Sequence, residues 1–223
     1  KGEVFEKFKD STPVNIENEI DTSLKNLGTD YIDIYQIHWP DPNTPLEETM
    51  FTMTKLKQAG KISCIGCCNF STEALMVAGK YGKISTIQVP YNLVDRSVES
   101  ALLPYCKDKD IKVLAYSPIA RGFLSGKYND IKAFNHDDNR SRNDDIYFRR
   151  EVLLKNLKIL DDLSQVAEKL DKTPSQIAIR WVLENHEITA SIFGVKDALQ
   201  IEENVAVSEF MLTPEDIDFL NKE

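Results

Sequence analysis

The 223-residue chain is poor in the features that would mark several common protein classes. No stretch approaches the ~18 uninterrupted apolar residues a membrane helix needs, and the opening Lys1–Asp10 has no apolar core of the secretory-signal kind. Cationic excess is missing too. Lys plus Arg number 27 against 36 Asp plus Glu, a net charge of −9, which makes a poor general binder of nucleic acid or anionic membrane. Four cysteines, Cys64, Cys67, Cys68 and Cys106, are too few for a disulfide scaffold and suit a reducing compartment. We therefore expect a cytoplasmic protein. No strand is followed by G-x-G-x-x-G, so the Rossmann fingerprint is absent. Gly126-Lys127 superficially matches a P-loop, but Gly122 falls one position short and Tyr128 replaces the Ser or Thr that would hold magnesium.

What is present is globular. Apolar residues make up 42% and charged residues 28%, which excludes collagen-like and wholly disordered chains. Five short runs rich in Ile, Val, Tyr or Cys read as strands: Tyr31–His38, Ile62–Asn69, Thr86–Tyr91, Lys112–Ser117 and Ile188–Gly194. Helical periodicity lies between them. Ile16, Ile20, Leu24 and Leu27 form one stripe closed by Gly28, and Leu46, Met50, Met53 and Leu56 form another closed by Gly60. Ser71 caps a third helix. Others follow Arg96 and Phe148, begin at Thr173-Pro174, and cover Lys196–Val205 and Thr213–Leu220. Alternating strands and helices indicate an α/β fold with a parallel sheet, and no break in composition divides residues 1–223, so one domain is expected. Residues 129–147 are the one long polar segment, either a solvated loop or one that covers a ligand.

Cys64 and Cys67 match C-x-x-C, but on a strand they point to opposite sides, so ordinary buried thiols are expected rather than a dithiol or a zinc pair. Other strand ends carry polar groups. His38 follows the first strand beside Trp39, where a proton-handling or hydrogen-bonding group is well placed, although a packed histidine is the blander reading. Asn69 ends the second strand, and Gln88 sits between Ile87 and Val89, where a buried amide needs a partner. The fourth strand ends at Tyr116-Ser117 before a turn containing Gly122. The fifth ends at Gly194 and opens onto a helix carrying Lys196, a ready anion site. Polar rim groups converging with an anion site suggest a phosphate-bearing cofactor.

The motifs Asp30-Tyr31-Ile32-Asp33, His38-Trp39-Pro40-Asp41, Gly60-Lys61-Ile62, Ile65-Gly66, Asn69-Phe70, Gln88, Tyr91-Asn92, Tyr116-Ser117-Pro118 and Ser125-Gly126-Lys127-Tyr128 occur in order and at the right spacing to resemble the aldo-keto reductases. The resemblance runs from about residue 10 to the C-terminus. Ser125–Tyr128 and Phe193–Asn204 place it nearest the bacterial and archaeal branch that includes the potassium-channel β subunits. It implies a (β/α)8 TIM barrel, about five of whose eight strands are here, binding a nicotinamide dinucleotide and a small-molecule carbonyl substrate.

By the same resemblance, His38 orients the substrate carbonyl and Asn69 and Gln88 hold the nicotinamide carboxamide, while Trp39, beside His38, either lines the substrate pocket or caps the strand end in the core. Cys68 stands where the family usually has Ser, a stronger hydrogen-bonding group. Tyr116 stacks on the nicotinamide ring. Ser117, Ile119, Gly122 and Lys127 wrap the pyrophosphate, and Arg140 lies near the adenosine. Gly194, Lys196, Gln200, Glu203 and Asn204 match the adenosine and 2′-phosphate segment, although Gln200, Glu203 and Asn204 also read as a plain polar helix surface. Lys196 and Arg140 favour NADP(H) over NAD(H), because a 2′-phosphate needs cationic partners.

The family's catalytic Asp, its proton-donating Tyr and normally its Lys lie in βα units ahead of the first strand here. Lys1 stands at about the distance expected of that Lys, but nothing precedes it and local matching sets it a few residues late. Five strands of a barrel would leave two open edges, so the 223 residues are expected to be part of a longer chain. The parent activity expected is NADP(H)-dependent reduction of an aldehyde or ketone to an alcohol, while the 223 residues alone are expected to be inactive without that Asp, Tyr and Lys. The alternative is a nucleotide-binding regulatory subunit or a catalytically dead relative.

Overall fold

The side chains of Thr12, Ser71, Thr173, Asp197 and Thr213 each accept a backbone N–H and so start a helix. The computed structural model describes residues 9–127, 147–148 and 150–222. Its contacts group into two compact units, one made of the chain up to Val89 together with Glu99–Val113, the other of Pro90–Val98 and the chain from Leu114 onward.

In the first unit α1 (Pro13–Leu27), β1 (Ile32–Ile37), α2 (Leu46–Gln58), β2 (Ile62–Cys68), α3 (Thr72–Ala78), β3 (Ile84–Pro90) and α4 (Leu102–Asp108) follow one another. The Thr12 hydroxyl accepts from the Asn15 N–H at the start of α1, Pro13 supplies the preset φ, and Gly28 at φ 65° ends the helix in the left-handed region. Ile16 and Ile20 are buried against neighbouring elements, but Leu27 is 66% exposed, so only the N-terminal half of the expected stripe reaches the core. In α2 the Met50, Met53 and Leu56 stripe is buried as expected, with Glu47 and Glu48 in the first turn and Lys55 and Lys57 in the last opposing the helix dipole. Ser71 accepts from the Ala74 N–H and caps α3.

β1, β2 and β3 lie side by side in chain order, all parallel. The remaining strands are β4 (Lys112–Tyr116) and β5 (Ile188–Ile192). Gln36 pairs with Gly66 and Gly66 with Thr86, and one row further on Cys68 pairs with Gln88. The register shifts between β2 and β3: Ile65 faces Ile84 but Gly66 faces Thr86, which leaves Ser85 as an extra residue. Without that bulge Cys68 would face Ile87, and Gln88 would lie on the opposite side of the sheet. The bulge is also why β3 begins two residues ahead of the expected Thr86.

Gly66 has a steric duty in this row. A Cβ there would lie 2.5 Å from Thr86 Oγ1 and 2.7 Å from Gln36 Cγ, so two side chains already occupy the space above it. Cys67 and Cys68 are buried and no disulfide links the four cysteines. Burial pushes the Cys67 thiol up to about 12, Cys68 adding to the effect, and pushes Cys68 up to about 11.

A buried carboxylate joins the start of the described chain to the loop after β1. Asp41 accepts from the Thr44 hydroxyl at 2.6 Å, the Asn43 N–H at 2.9 Å and the Ser11 N–H at 3.1 Å. The Thr49 hydroxyl of α2 in turn donates to the Ser11 carbonyl. The Thr44 hydroxyl and the Asn43 and Ser11 amides hold the Asp41 carboxyl below the usual range.

The second unit holds α5 (Arg150–Lys155), α6 (Leu157–Leu170), α7 (Pro174–Glu184), β5, α8 (Ala198–Val205) and α9 (Pro214–Leu220). Thr173 and Gln176 form a capping box at α7, and Thr213 and Asp216 form one at α9. Burial works to raise the Asp216 pKa, but its bonds to Lys169 and Thr213 outweigh that and hold the carboxyl low, tying α6 to α9. Tyr91 is buried against Trp181, ring centroids 5.2 Å apart, and its hydroxyl accepts from Asn185 Nδ2, which makes it a core residue.

Three outcomes follow from this packing. Replacement Gly66→Ala destabilises the chain by about 1–3 kcal/mol in urea unfolding, because overpacking must displace Gln36 or Thr86. Asp41→Asn lowers the thermal midpoint at neutral pH. The folded pKa lies below the unfolded value of about 3.9, so the carboxylate stabilises above that pH and loses its advantage as pH falls through the folded value; wild type and variant converge below pH ~4. Under native conditions a thiol reagent labels half-buried Cys64 before buried Cys67, Cys68 and Cys106, and peptide mass mapping reads the order.

Candidate functional site

The sheet row and its strand ends place the first group of expected residues in one unit. His38 directly follows β1 and is exposed, with Trp39 beside it, ring centroids 6.4 Å apart. Both line a cavity of about 570 Å³ together with Gln36, Tyr35, Lys9 and Asp10. The Lys9 ammonium lies 4.7 Å from the Trp39 ring centroid, a cation–π contact that holds the indole at the cavity wall. Lys9 and Gln36 have no counterpart among the residues expected from sequence. Gln36 could have been found by the same argument as Gln88, as an amide in an apolar strand.

Asn69 takes up φ 59°, in the left-handed region an Asn tolerates. Its backbone N–H donates to the Gln88 carbonyl and its Nδ2 donates to the His38 carbonyl, both at 3.0 Å. One residue thereby ties together the ends of β1, β2 and β3. Cys68 is only 3% exposed. Its sulfur lies 2.9 Å from Gln88 Oε1 and 3.3 Å from Gln36 Oε1, so it contacts the Gln88 side chain and backs it. Thr86 Oγ1, in the adjoining row, is buried without a hydrogen-bond partner. Tyr35 faces α1, where burial and the Glu19 charge raise its phenol pKa and a bond to Ser23 partly offsets them.

The second group lies in the other unit. After β4 the backbone passes through left-handed conformations at Ser117, Ala120, Arg121 and Gly122, with φ of 55°, 47°, 56° and 101°. Three of these residues carry a Cβ, and such conformations cost about 1–3 kcal/mol each. They persist because the turn is tied down. The Ala120 N–H donates to the Ser117 carbonyl, those of Gly122 and Leu124 to the Ile119 carbonyl, and Asn92 Nδ2 to the Ser117 carbonyl.

This turn forms one wall of a cavity of about 630 Å³, inside the range of small-molecule sites. Ser117, Ile119, Gly122, Lys127, Gly194, Lys196, Gln200, Glu203 and Asn204 all line it. Tyr116, half-buried at the end of β4, is not among its lining residues, and Arg140 lies outside the described residues, as does Lys1. Arg121 adds a third cation to Lys127 and Lys196.

The start of α8 differs from expectation. The helix begins at Ala198 rather than Lys196, because the Asp197 carboxylate is its N-cap and accepts from the Gln200 N–H. An acid already serves that end, so attraction for an anion here comes from the Lys196 side chain and not from an open helix terminus. Gln200 is also engaged locally, its Nε2 donating to Asp197 Oδ2 and its Oε1 accepting from the Lys196 N–H. Glu203 accepts from the Thr173 hydroxyl at 2.7 Å and its carbonyl from Gln176 Nε2. The capping box of α7 thus fixes an acidic group in the cavity wall.

Among the described residues no cluster of His, Cys, Asp and Glu has metal-binding geometry, and no helix is long and apolar enough to cross a membrane.

Comparison with known proteins agrees with this construction. The model of the aldo/keto reductase family matches residues 4–222. The aldo-keto reductase YhdN of Bacillus subtilis is 37% identical over 215 residues, 96% of this chain and 64% of that protein. The NADH-specific methylglyoxal reductase of Escherichia coli is 32% identical over 231 residues, covering all of this chain and 70% of its own length. This chain therefore spans about two thirds of the length of these relatives. The solved glycerol dehydrogenase AKR11B4 of Gluconobacter oxydans superposes with a TM-score of 0.89 at 36% identity, over 99% of this chain and 67% of that one. The fold is accordingly an α/β fold of the TIM-barrel type, and the chain belongs to the aldo/keto reductase family.

Proposed function

We propose that this chain carries the cofactor-binding and carbonyl-orienting residues of an NADP(H)-dependent oxidoreductase that reduces aldehydes or ketones to alcohols. The observation that carries the reading is the cavity of about 630 Å³ with Arg121, Lys127 and Lys196 in its wall and a strained turn of backbone beside them. Strained non-glycine backbone next to a cationic hollow suits an anionic ligand. Its volume and mixed lining suit the phosphates and adenosine of a dinucleotide.

Ser117, Ile119, Gly122 and Lys127 would hold the pyrophosphate, and Gly194, Lys196, Gln200, Glu203 and Asn204 the adenosine end. Lys196 is the candidate partner of a 2′-phosphate. Asn69 and Gln88 would hold the carboxamide, with Tyr116 against the ring. When bound, the nicotinamide supplies the hydride. His38, at the cavity it shares with Trp39, donates a hydrogen bond to the substrate carbonyl oxygen and so polarises it. As candidate proton donors, Tyr35 is bonded to Ser23 beside α1 and Tyr91 is buried in the second unit. Neither is assigned that role. Four free thiols accord with a reducing, cytoplasmic setting.

NAD(H) is the competing cofactor, since the E. coli relative is named NADH-specific and an acidic residue such as Glu203 can accept from ribose hydroxyls. Fluorescence titration with NADPH and NADH separates the two. With NADP(H) as ligand, Lys196→Met weakens NADPH by about tenfold and NADH by no more than about twofold, the loss expected of one charge-assisted bond. Equal losses on both would overturn the assignment of Lys196. Turnover of a generic aldehyde with NADPH supports the reductase over a nucleotide-binding regulatory protein, and His38→Ala then lowers kcat by ~100-fold with little change in NADPH affinity. Tight NADPH binding without turnover supports the regulatory reading only where the chain assayed carries the family's Asp, Tyr and Lys.

A further inference from the structure

Gln36 lies one row behind Cys68 and Gln88 on the same face of the sheet. Its side chain leans across Gly66, where the missing Cβ leaves room for Gln36 Cγ. The Cys68 sulfur thereby comes within reach of two carboxamides from different strands, Gln88 at 2.9 Å and Gln36 at 3.3 Å. We infer that Gln36 is a positioning residue for the cofactor carboxamide, acting through Cys68 to fix which end of the Gln88 amide faces the ligand. The inference rests on the nicotinamide reading given above.

The argument is a proton count. A thiol has one hydrogen and can serve only one of the two amide oxygens. The shorter contact, to Gln88 Oε1, takes it. Burial keeps the sulfur protonated at neutral pH, its pKa raised to about 11, so it remains a donor. Gln36 must then turn its amide over, which exchanges Oε1 for Nε2 in nearly the same position, and donate an N–H to a sulfur lone pair. The result is a chain with one direction: Gln36 Nε2–H to Cys68 Sγ, and Cys68 S–H to Gln88 Oε1. Among the described residues the Gln88 side chain has no other hydrogen-bond partner, so its Nε2 is left to donate. Gln88 therefore offers the ligand an N–H and selects a carbonyl oxygen in return.

A residue of purely structural use at position 36 would not require an amide, since Ile34 and Ile32 on the same face are apolar. The amide is needed because the donor half of the Cys68 thiol is already committed. Serine at position 68 supplies the same donor and acceptor capacity and preserves the direction of the chain; alanine removes both.

The test uses the purified chain as wild type, Gln36→Met, Cys68→Ala, Cys68→Ser and the Gln36→Met/Cys68→Ala double variant. Three probes are titrated: NADPH, its 3-acetylpyridine analogue, which keeps the carbonyl oxygen but lacks the amide N–H, and 2′-phospho-ADP-ribose, which lacks the ring altogether. Each single truncation is expected to weaken NADPH and the acetylpyridine analogue by about fivefold, the worth of one neutral hydrogen bond, and to leave 2′-phospho-ADP-ribose unchanged. The double variant loses no more than either single one, as members of one chain do, and Cys68→Ser binds NADPH more tightly than Cys68→Ala. Equal losses on all three probes, additive losses, or no loss would overturn the role of Gln36. Loss on NADPH but not on the acetylpyridine analogue would overturn the direction assigned to Gln88. Wild type that binds 2′-phospho-ADP-ribose but gains nothing from the nicotinamide overturns the positioning role while leaving the phosphate site standing, and wild type that binds none of the probes overturns the cofactor reading itself.

Discussion

The polar row of the first unit depends on one extra residue in β3. Side chains on parallel strands alternate with a period of two, so the Ser85 bulge decides which face Gln88 occupies. With it, Gln88 stands beside Cys68, and Gln36 reaches the Cys68 sulfur across the bare backbone of Gly66. Asn69 then closes the strand ends, linking the Gln88 and His38 carbonyls. A uniform register would place Ile87 beside Cys68 and dismantle this arrangement without changing a single residue type.

The second unit reaches a comparable end by other means. There the constraint is backbone conformation: Ser117, Ala120 and Arg121 are held left-handed by a net of turn bonds, and Asn92 fastens the Ser117 carbonyl. Side-chain caps then set the opposite wall. Asp197 serves the α8 terminus while Thr173 anchors Glu203. Each cap satisfies a local polar need and, as a by-product, fixes which functional groups remain directed into the cavity.

Much of this was legible in the residues. The five strands and the Ser71 and Thr173 caps follow from local pattern, because apolar period and cap chemistry act within a few residues. The positions from Ser117 to Asn204 were located through ordered motifs, and nine of them line one cavity. Three things were not legible. The bulge at Ser85 leaves no compositional mark, since it is a property of pairing between strands. The exposure of Leu27 depends on what packs against α1 and not on its own stripe. Asp197, an acid three before Gln200, has the sequence form of a helix start, but Lys196 beside it reads equally as the mark of an anion site, and only the bond from the Gln200 N–H decides.

The left-handed turn after β4 also bears on how such a sequence can drift. Where a position is set by φ rather than by contacts, substitution is filtered by whether a residue tolerates that conformation. Gly and Asn pass easily, while β-branched residues fail. Side chains at Ala120 and Arg121 can therefore exchange among a narrow set while the array of amides stays in place. The conformation thus limits which side chains can stand here, and with them which groups can be offered to the cavity that Arg121 lines.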